Sequence, residues 1–144
     1  MAIAYFDASA LVKLLIQEDG TDIAVALWDN CEVACSSMLS YAEVRAALAA
    51  AHRHDRIDGR QLRNVEQQWD RFWAATHTVA LSDPLVRRAG DLCRDQALRG
   101  ADGIHVASAL TLKISPAVDV IVVAWDARLS RAARNTGLRV APQL

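Results

Sequence analysis

The sequence predicts an α/β protein, a three-layer α/β/α sandwich around a mostly parallel central sheet of four to five strands. Three observations carry that expectation. Ile3-Ala4-Tyr5-Phe6 and Val120-Ile121-Val122-Val123-Ala124-Trp125 are unbroken apolar runs, as expected of strands buried on both faces of a parallel sheet. Strand-like and helix-like segments alternate along the whole chain, the pattern of repeated βα units. At 144 residues, 53% of them hydrophobic, the chain is the size of one domain, 1–144, that can bury about two-thirds of its unfolded surface.

Taken in order, residues 2–7 read as a central strand, followed by helices at 9–16 and about 21–29. Residues 32–35 read as a second strand. Ser36 or Ser37 then caps a long helix to about residue 52, because a serine oxygen can accept the orphan backbone donors of a first turn. The polar stretch 54–59 turns the chain, Asp58 caps a helix over about 59–75, and 76–81 forms a short strand. Asp83-Pro84 starts a helix with the aspartate as cap and the proline at the first helical position, ending near Leu98. Arg99-Gly100-Ala101 is a break, the next helix begins at Asp102, and Pro116 closes it. A strand at 119–125, a helix at 127–135 and a short edge strand at 138–140 complete the fold. Leu62, Val65, Trp69, Phe72 and Trp73 show helical apolar spacing, mostly for core packing, with Trp69 and Trp73 also candidates for a dimer or partner interface.

The net charge of −1 and pI near 6.4 exclude a global basic field for nonspecific nucleic-acid binding. Any nucleic-acid contact is therefore local, and Arg87, Arg88, Arg94 and Arg99 are the candidates to meet phosphates, against a solvated helical face. No run reaches the ~18 apolar residues of a membrane span, and the N-terminus lacks signal-peptide character. A soluble cytoplasmic protein is expected. Cys31, Cys35 and Cys93, odd in number and without metal-binding spacing, read as buried reduced thiols.

Four acids stand out because they lie among apolar or small residues. Asp7 and Asp126 each end one of the long apolar runs, and ligands of open α/β sheets gather at the carboxyl ends of strands. Either aspartate alone could merely cap the helix after it. Glu43 lies inside a helix, on the side of Leu39, Ala46, Ala47 and Ala50, where an unpartnered glutamate is costly to bury. Asp102 opens a helix and again could be a cap. Capping does not account for Glu43 or for two strand ends aimed at one edge, and carboxylates held together repel unless a cation lies between them. The set predicts a divalent metal site. His105, one turn after Asp102, reads as a hydrogen-bonded histidine of the core or behind the ligands, since a hard cation prefers carboxylates. Asp119 supplies an internal contrast: it begins the strand that Asp126 ends, roughly 20 Å away at ~3.3 Å per residue, and is not expected in the site.

Four stretches, in this order, resemble PIN-domain ribonucleases, and among them the VapC-type toxins of bacterial toxin–antitoxin pairs. They are Tyr5-Phe6-Asp7-Ala8-Ser9-Ala10-Leu11-Val12-Lys13-Leu14, Ser37-Met38-Leu39-Ser40-Tyr41-Ala42-Glu43-Val44, Leu98-Arg99-Gly100-Ala101-Asp102-Gly103-Ile104-His105-Val106-Ala107 and Val122-Val123-Ala124-Trp125-Asp126-Ala127-Arg128-Leu129. The resemblance implies a PIN-like sandwich and an endoribonuclease dependent on Mg²⁺, with Mn²⁺ as a substitute. It also implies an RNA substrate, neutralisation by a cognate antitoxin, and a homodimer. The family's acidic quartet falls on Asp7, Glu43, Asp102 and Asp126 as catalytic and metal-binding residues, and its hydroxyl near the first aspartate on Ser9. Ala124 departs from relatives that often carry threonine or serine two positions before the last aspartate. A housekeeping PIN-type nuclease without antitoxin and a non-catalytic RNA- or protein-binding PIN-like module are the alternatives. A lost carboxylate would mark the latter, and none is missing.

Overall fold

The computed structural model describes residues 1–143. In chain order the elements are β1 (Ala2–Phe6), α1 (Ala8–Lys13), α2 (Thr21–Asn30), β2 (Val33–Ser37), α3 (Ser40–Arg53), α4 (Gly59–Ala74), β3 (His77–Val79), α5 (Asp83–Gln96), α6 (Gly100–Leu112), β4 (Asp119–Val123), α7 (Ala127–Asn135) and β5 (Arg139–Ala141). The sheet has five strands in the order β3-β2-β1-β4-β5, and every neighbouring pair is parallel. β1 lies at the centre because both of its faces are apolar. Ala4 and Phe6 pack with Leu11, Val44, Leu48 and Trp69 of α1, α3 and α4. Tyr5 packs on the other face with Val106, Ala109, Leu129 and Ala132 of α6 and α7. This alternation follows from the two-residue period of a strand, and it gives the expected three layers. No helix among the described residues is long and apolar enough to cross a membrane.

The strand and helix order matches the expectation, while several caps do not. Ser36 and Ser37 belong to β2, and α3 begins at Ser40 behind Leu39 without a side-chain cap. Ser36 Oγ instead donates to the Phe6 carbonyl at 2.7 Å and lies 2.6 Å from Ser40 Oγ, tying the end of β2 and the start of α3 to β1. Helix α5 is capped by Ser82, whose Oγ accepts from Leu85 N–H, and Asp83 falls in the first turn. Asp58 does cap α4, in a reciprocal box with Gln61. Helix α6 starts two residues early, with Arg99 in the cap position, so Asp102 is not a cap.

Helices α5 and α6 approach closely at Gly103. A Cβ there would lie 2.5 Å from Cys93 Sγ and 2.8 Å from the Ala89 carbonyl oxygen. Only glycine permits this contact, which fixes the first turn of α6 next to Asp102. Trp69 is fully buried rather than a surface residue, against Tyr41 and Trp73, whereas Trp73 is half-buried. The three cysteines are free thiols; Cys35 is buried and the other two only half-buried.

Candidate active site

In the order β3-β2-β1-β4-β5, connections after β1 move to one side of the sheet and β4 returns on the other. The carboxyl ends of β1 and β4 therefore flank a topological switch point, where open α/β sheets bind ligands. Helices α1, α3 and α7 each follow the carboxyl end of a strand, and α6 runs back toward the start of β4. All four helices thus begin at one edge.

Each of the four acids sits at one of these helix starts. Asp7 is 5% exposed and caps α1. Its Oδ1 accepts the Ala10 N–H at 2.8 Å, and Ser9 Oγ lies 3.0 Å from both carboxylate oxygens as donor. The Asp7 N–H in turn donates to the Val123 carbonyl of β4 at 3.3 Å, so the first acid is anchored to the strand that leads to the last. Asp126 caps α7 by accepting the Leu129 N–H at 2.9 Å, and it is exposed. Glu43 and Asp102 lie in the first turns of α3 and α6. Helix N-termini favour negative charge, so capping and ligand binding are compatible roles for the two aspartates at strand ends.

Glu43 is not surrounded by a buried alanine stripe. The buried face of α3 is Ser40, Val44, Leu48 and Ala51, Ala46 is exposed, and the Glu43 side chain is 30% exposed. Its partner comes from the opposite layer: His105 Nε2 lies 2.8 Å from Glu43 Oε1. His105 Nδ1 lies 2.8 Å from the hydroxyl of Tyr5, and both rings are buried. His105 thus bridges β1 to Glu43 as a buried histidine hydrogen-bonded at both ring nitrogens. Tyr5 had no place among the expected site residues. The sequence offered only a weak signal: Tyr5 lies two positions before Asp7, and a buried tyrosine hydroxyl needs a partner.

The electrostatics tie the acids together. Burial raises the Asp7 carboxyl above the ordinary range, and the Glu43 charge adds to this; His105, the Ala10 N–H and Ser9 oppose it. Burial also raises Asp102, followed by the charge of Asp126 and, more weakly, of Glu43, against His105 and Arg99. Asp7 therefore senses Glu43, and Asp102 senses both Asp126 and Glu43. Among the described residues no lysine or arginine forms an ion pair with Asp7, Asp102 or Asp126. Arg87 and Arg94, by contrast, are paired on the solvated face of α5 with Asp83 and with Asp91 and Asp95. Arg88 is exposed on the same helix.

The donor chemistry suits a hard divalent cation: carboxylate oxygens, excess negative charge, and, among the described residues, no lysine or arginine ion-paired with Asp7, Asp102 or Asp126. Among the described residues no three His, Cys, Asp or Glu side chains are grouped so as to hold a metal ion between them. A magnesium-type ion usually takes one or two carboxylates and keeps several waters. The set fits that open mode and not a tight all-protein cage.

A PIN domain model matches residues 4–135. The chain is 50% identical over 142 residues to ribonucleases VapC45 and VapC49 of two Mycobacterium tuberculosis strains, spanning 99% of this chain and 96% of each relative. Among solved structures, FitAcB from Neisseria gonorrhoeae superposes with a TM-score of 0.70 at 16% identity, covering 95% of both chains. A toxin-antitoxin complex from Klebsiella pneumoniae does so with a TM-score of 0.55 at 18% identity, covering 82% of this chain and 83% of that one. The chain belongs to the PIN-domain family and, within it, to the VapC ribonucleases.

Proposed function

We propose that this chain is a Mg²⁺-dependent endoribonuclease, the toxin of a toxin–antitoxin pair, and that Asp7, Glu43, Asp102 and Asp126 are its catalytic, metal-holding residues. The single observation that supports this reading is the placement of one acid at the start of each of α1, α3, α6 and α7, beside the β1–β4 switch point, with Asp7 raised by burial and by Glu43, and Asp102 by burial and by Asp126 and Glu43. A bound divalent cation supplies an activated water and charge neutralisation for phosphodiester hydrolysis. Asp7, Glu43 and Asp102 would hold the principal ion, directly or through water, and Asp126 would assist with it or with a second one. Mn²⁺ would serve as a substitute. Ser9 holds the Asp7 carboxylate in place, and His105 holds that of Glu43. No nucleophilic side chain is required.

Burial of Asp7 within a capped turn removes water from one side of the acid cluster, while the exposure of Asp126 leaves the other side open to a strand of RNA. Ribonuclease is the name given to the two half-identical relatives, and a toxin-antitoxin complex is among the fold neighbours. These support RNA as substrate and an antitoxin as partner. A cytoplasmic homodimer completes the reading. The test is to incubate the chain with total RNA, with and without EDTA, and map new ends. EDTA-sensitive cleavage at defined positions is expected, and its absence would favour a binding module that does not cut.

A further inference from the structure

We infer that Tyr5 is a positioning residue for the metal centre: through His105 it fixes the direction of the Glu43 carboxylate. This rests on the reading of Glu43 as a metal-holding residue. A carboxylate can only accept, so the 2.8 Å contact between Glu43 Oε1 and His105 Nε2 requires a proton on Nε2. In a neutral imidazole Nδ1 is then an acceptor, and the Tyr5 hydroxyl 2.8 Å away donates to it. Both hydrogen bonds lie along one ring, from the central strand at one end to the first turn of α3 at the other.

The packing makes this chain of contacts stiff. Tyr5 is fully buried and His105 is 3% exposed, and the rings meet edge to face with centroids 5.9 Å apart. The Tyr5 ring is held by its complete burial among α6 and α7 side chains, and its backbone by the pairing of β1 with β2 and β4. His105 is held by the same helix that carries Asp102. Glu43 alone has freedom, with its side chain 30% exposed and on the helix surface. Without the Tyr5 hydroxyl the imidazole loses one of its two anchors, and the carboxylate loses a fixed donor. Hydrogen-bond partners behind metal ligands orient them, and their removal usually weakens metal binding.

The experiment is a double-mutant cycle on the full chain, with Mn²⁺ affinity read by electron paramagnetic resonance of the free ion, so that no cleavage assay is needed. Tyr5→Phe should weaken Mn²⁺ binding about tenfold, Glu43→Gln should weaken it at least as much, and Tyr5→Phe should add nothing in the Glu43→Gln background. A purely structural role for Tyr5 would give a loss that persists in both backgrounds, and that result overturns the inference. An unchanged affinity for Tyr5→Phe beside a weakened Glu43→Gln overturns it while sparing the metal centre. An unchanged Glu43→Gln removes the metal role of Glu43 and this inference together. The ¹⁵N spectrum of the wild-type imidazoles gives a second measurement that does not depend on the variant folding. His105 should carry its proton on Nε2 with Nδ1 as a hydrogen-bonded acceptor; a proton on Nδ1 refutes the arrangement.

Discussion

The two ends of β4 carry the same kind of residue in opposite circumstances. At the amino end, Asp119 is exposed and ion-paired with Arg139 of the neighbouring strand. At the carboxyl end, Asp126 lies beside other acids, raises the carboxyl of Asp102 by its charge, and has no arginine or lysine partner among the described residues. One strand thus separates an ordinary solvated acid from one kept with like charges. The first arrangement needs nothing further, while in the second like charges repel, which the proposed metal site would relieve.

The largest effect should come from Asp7→Asn, which lowers RNA cleavage on the order of 10²-fold to 10³-fold by removing a preorganised charge from the site. Circular dichroism should show the fold intact, because asparagine also caps helices. Wild-type turnover in this variant would break the contrast. Gly103→Ala comes next. The added methyl group meets Cys93 Sγ and the Ala89 carbonyl, and such overpacking costs roughly 1–3 kcal/mol. Denaturant unfolding should show that loss, with reduced cleavage because the turn bearing Asp102 is displaced.

The pH dependence sharpens the comparison. Burial raises the carboxyls of Asp7 and Asp102 above the ordinary carboxylate range, so between the ordinary value and the raised one the folded, metal-free chain binds more protons than the unfolded chain. Stability therefore falls as pH rises through this window and then levels off. Metal-free Asp7→Asn should melt higher than wild type at neutral pH, and the gap should close on acidification below the raised value. Saturating Mg²⁺ should also narrow it by stabilising the wild type. A gap that widens on acidification reverses the sign and would disprove the assignment of cause. The smallest effect belongs to Asp119→Asn. An exposed ion pair contributes about 0–1 kcal/mol, so its thermal midpoint should shift little and cleavage should remain at the wild-type rate.

The layers and strand order of this fold were readable because they depend on long apolar runs, which β1 and β4 provide without ambiguity. Caps were less readable, since several polar residues competed for each position. Ser82 and Asp83 are adjacent, and only the backbone geometry selects the serine. Ser36 and Ser37 carry cap chemistry but serve the end of β2 instead. In the site, Asp7 and Asp126 were visible as strand-end acids. The environment of Glu43 was not, because helical spacing identifies a face without saying what lies opposite it. The facing group is His105, 62 residues away. Tyr5 was hidden for a related reason: among apolar neighbours on a central strand it looks like packing, and only a partner 100 residues distant reveals its hydroxyl.

The placement of β4 against β1 also constrains when this nuclease can exist during synthesis. Ala2 pairs with Asp119 and Phe6 with Val123, so the middle of the sheet closes only after β4 has been made. Asp7 directly follows β1 and is made before β4, whereas Asp126 is made only after it. A chain interrupted before β4 lacks the strand that anchors the Asp7 turn as well as one of the four acids. Products that stop before β4 therefore cannot assemble the edge at which Asp7 and Asp126 stand.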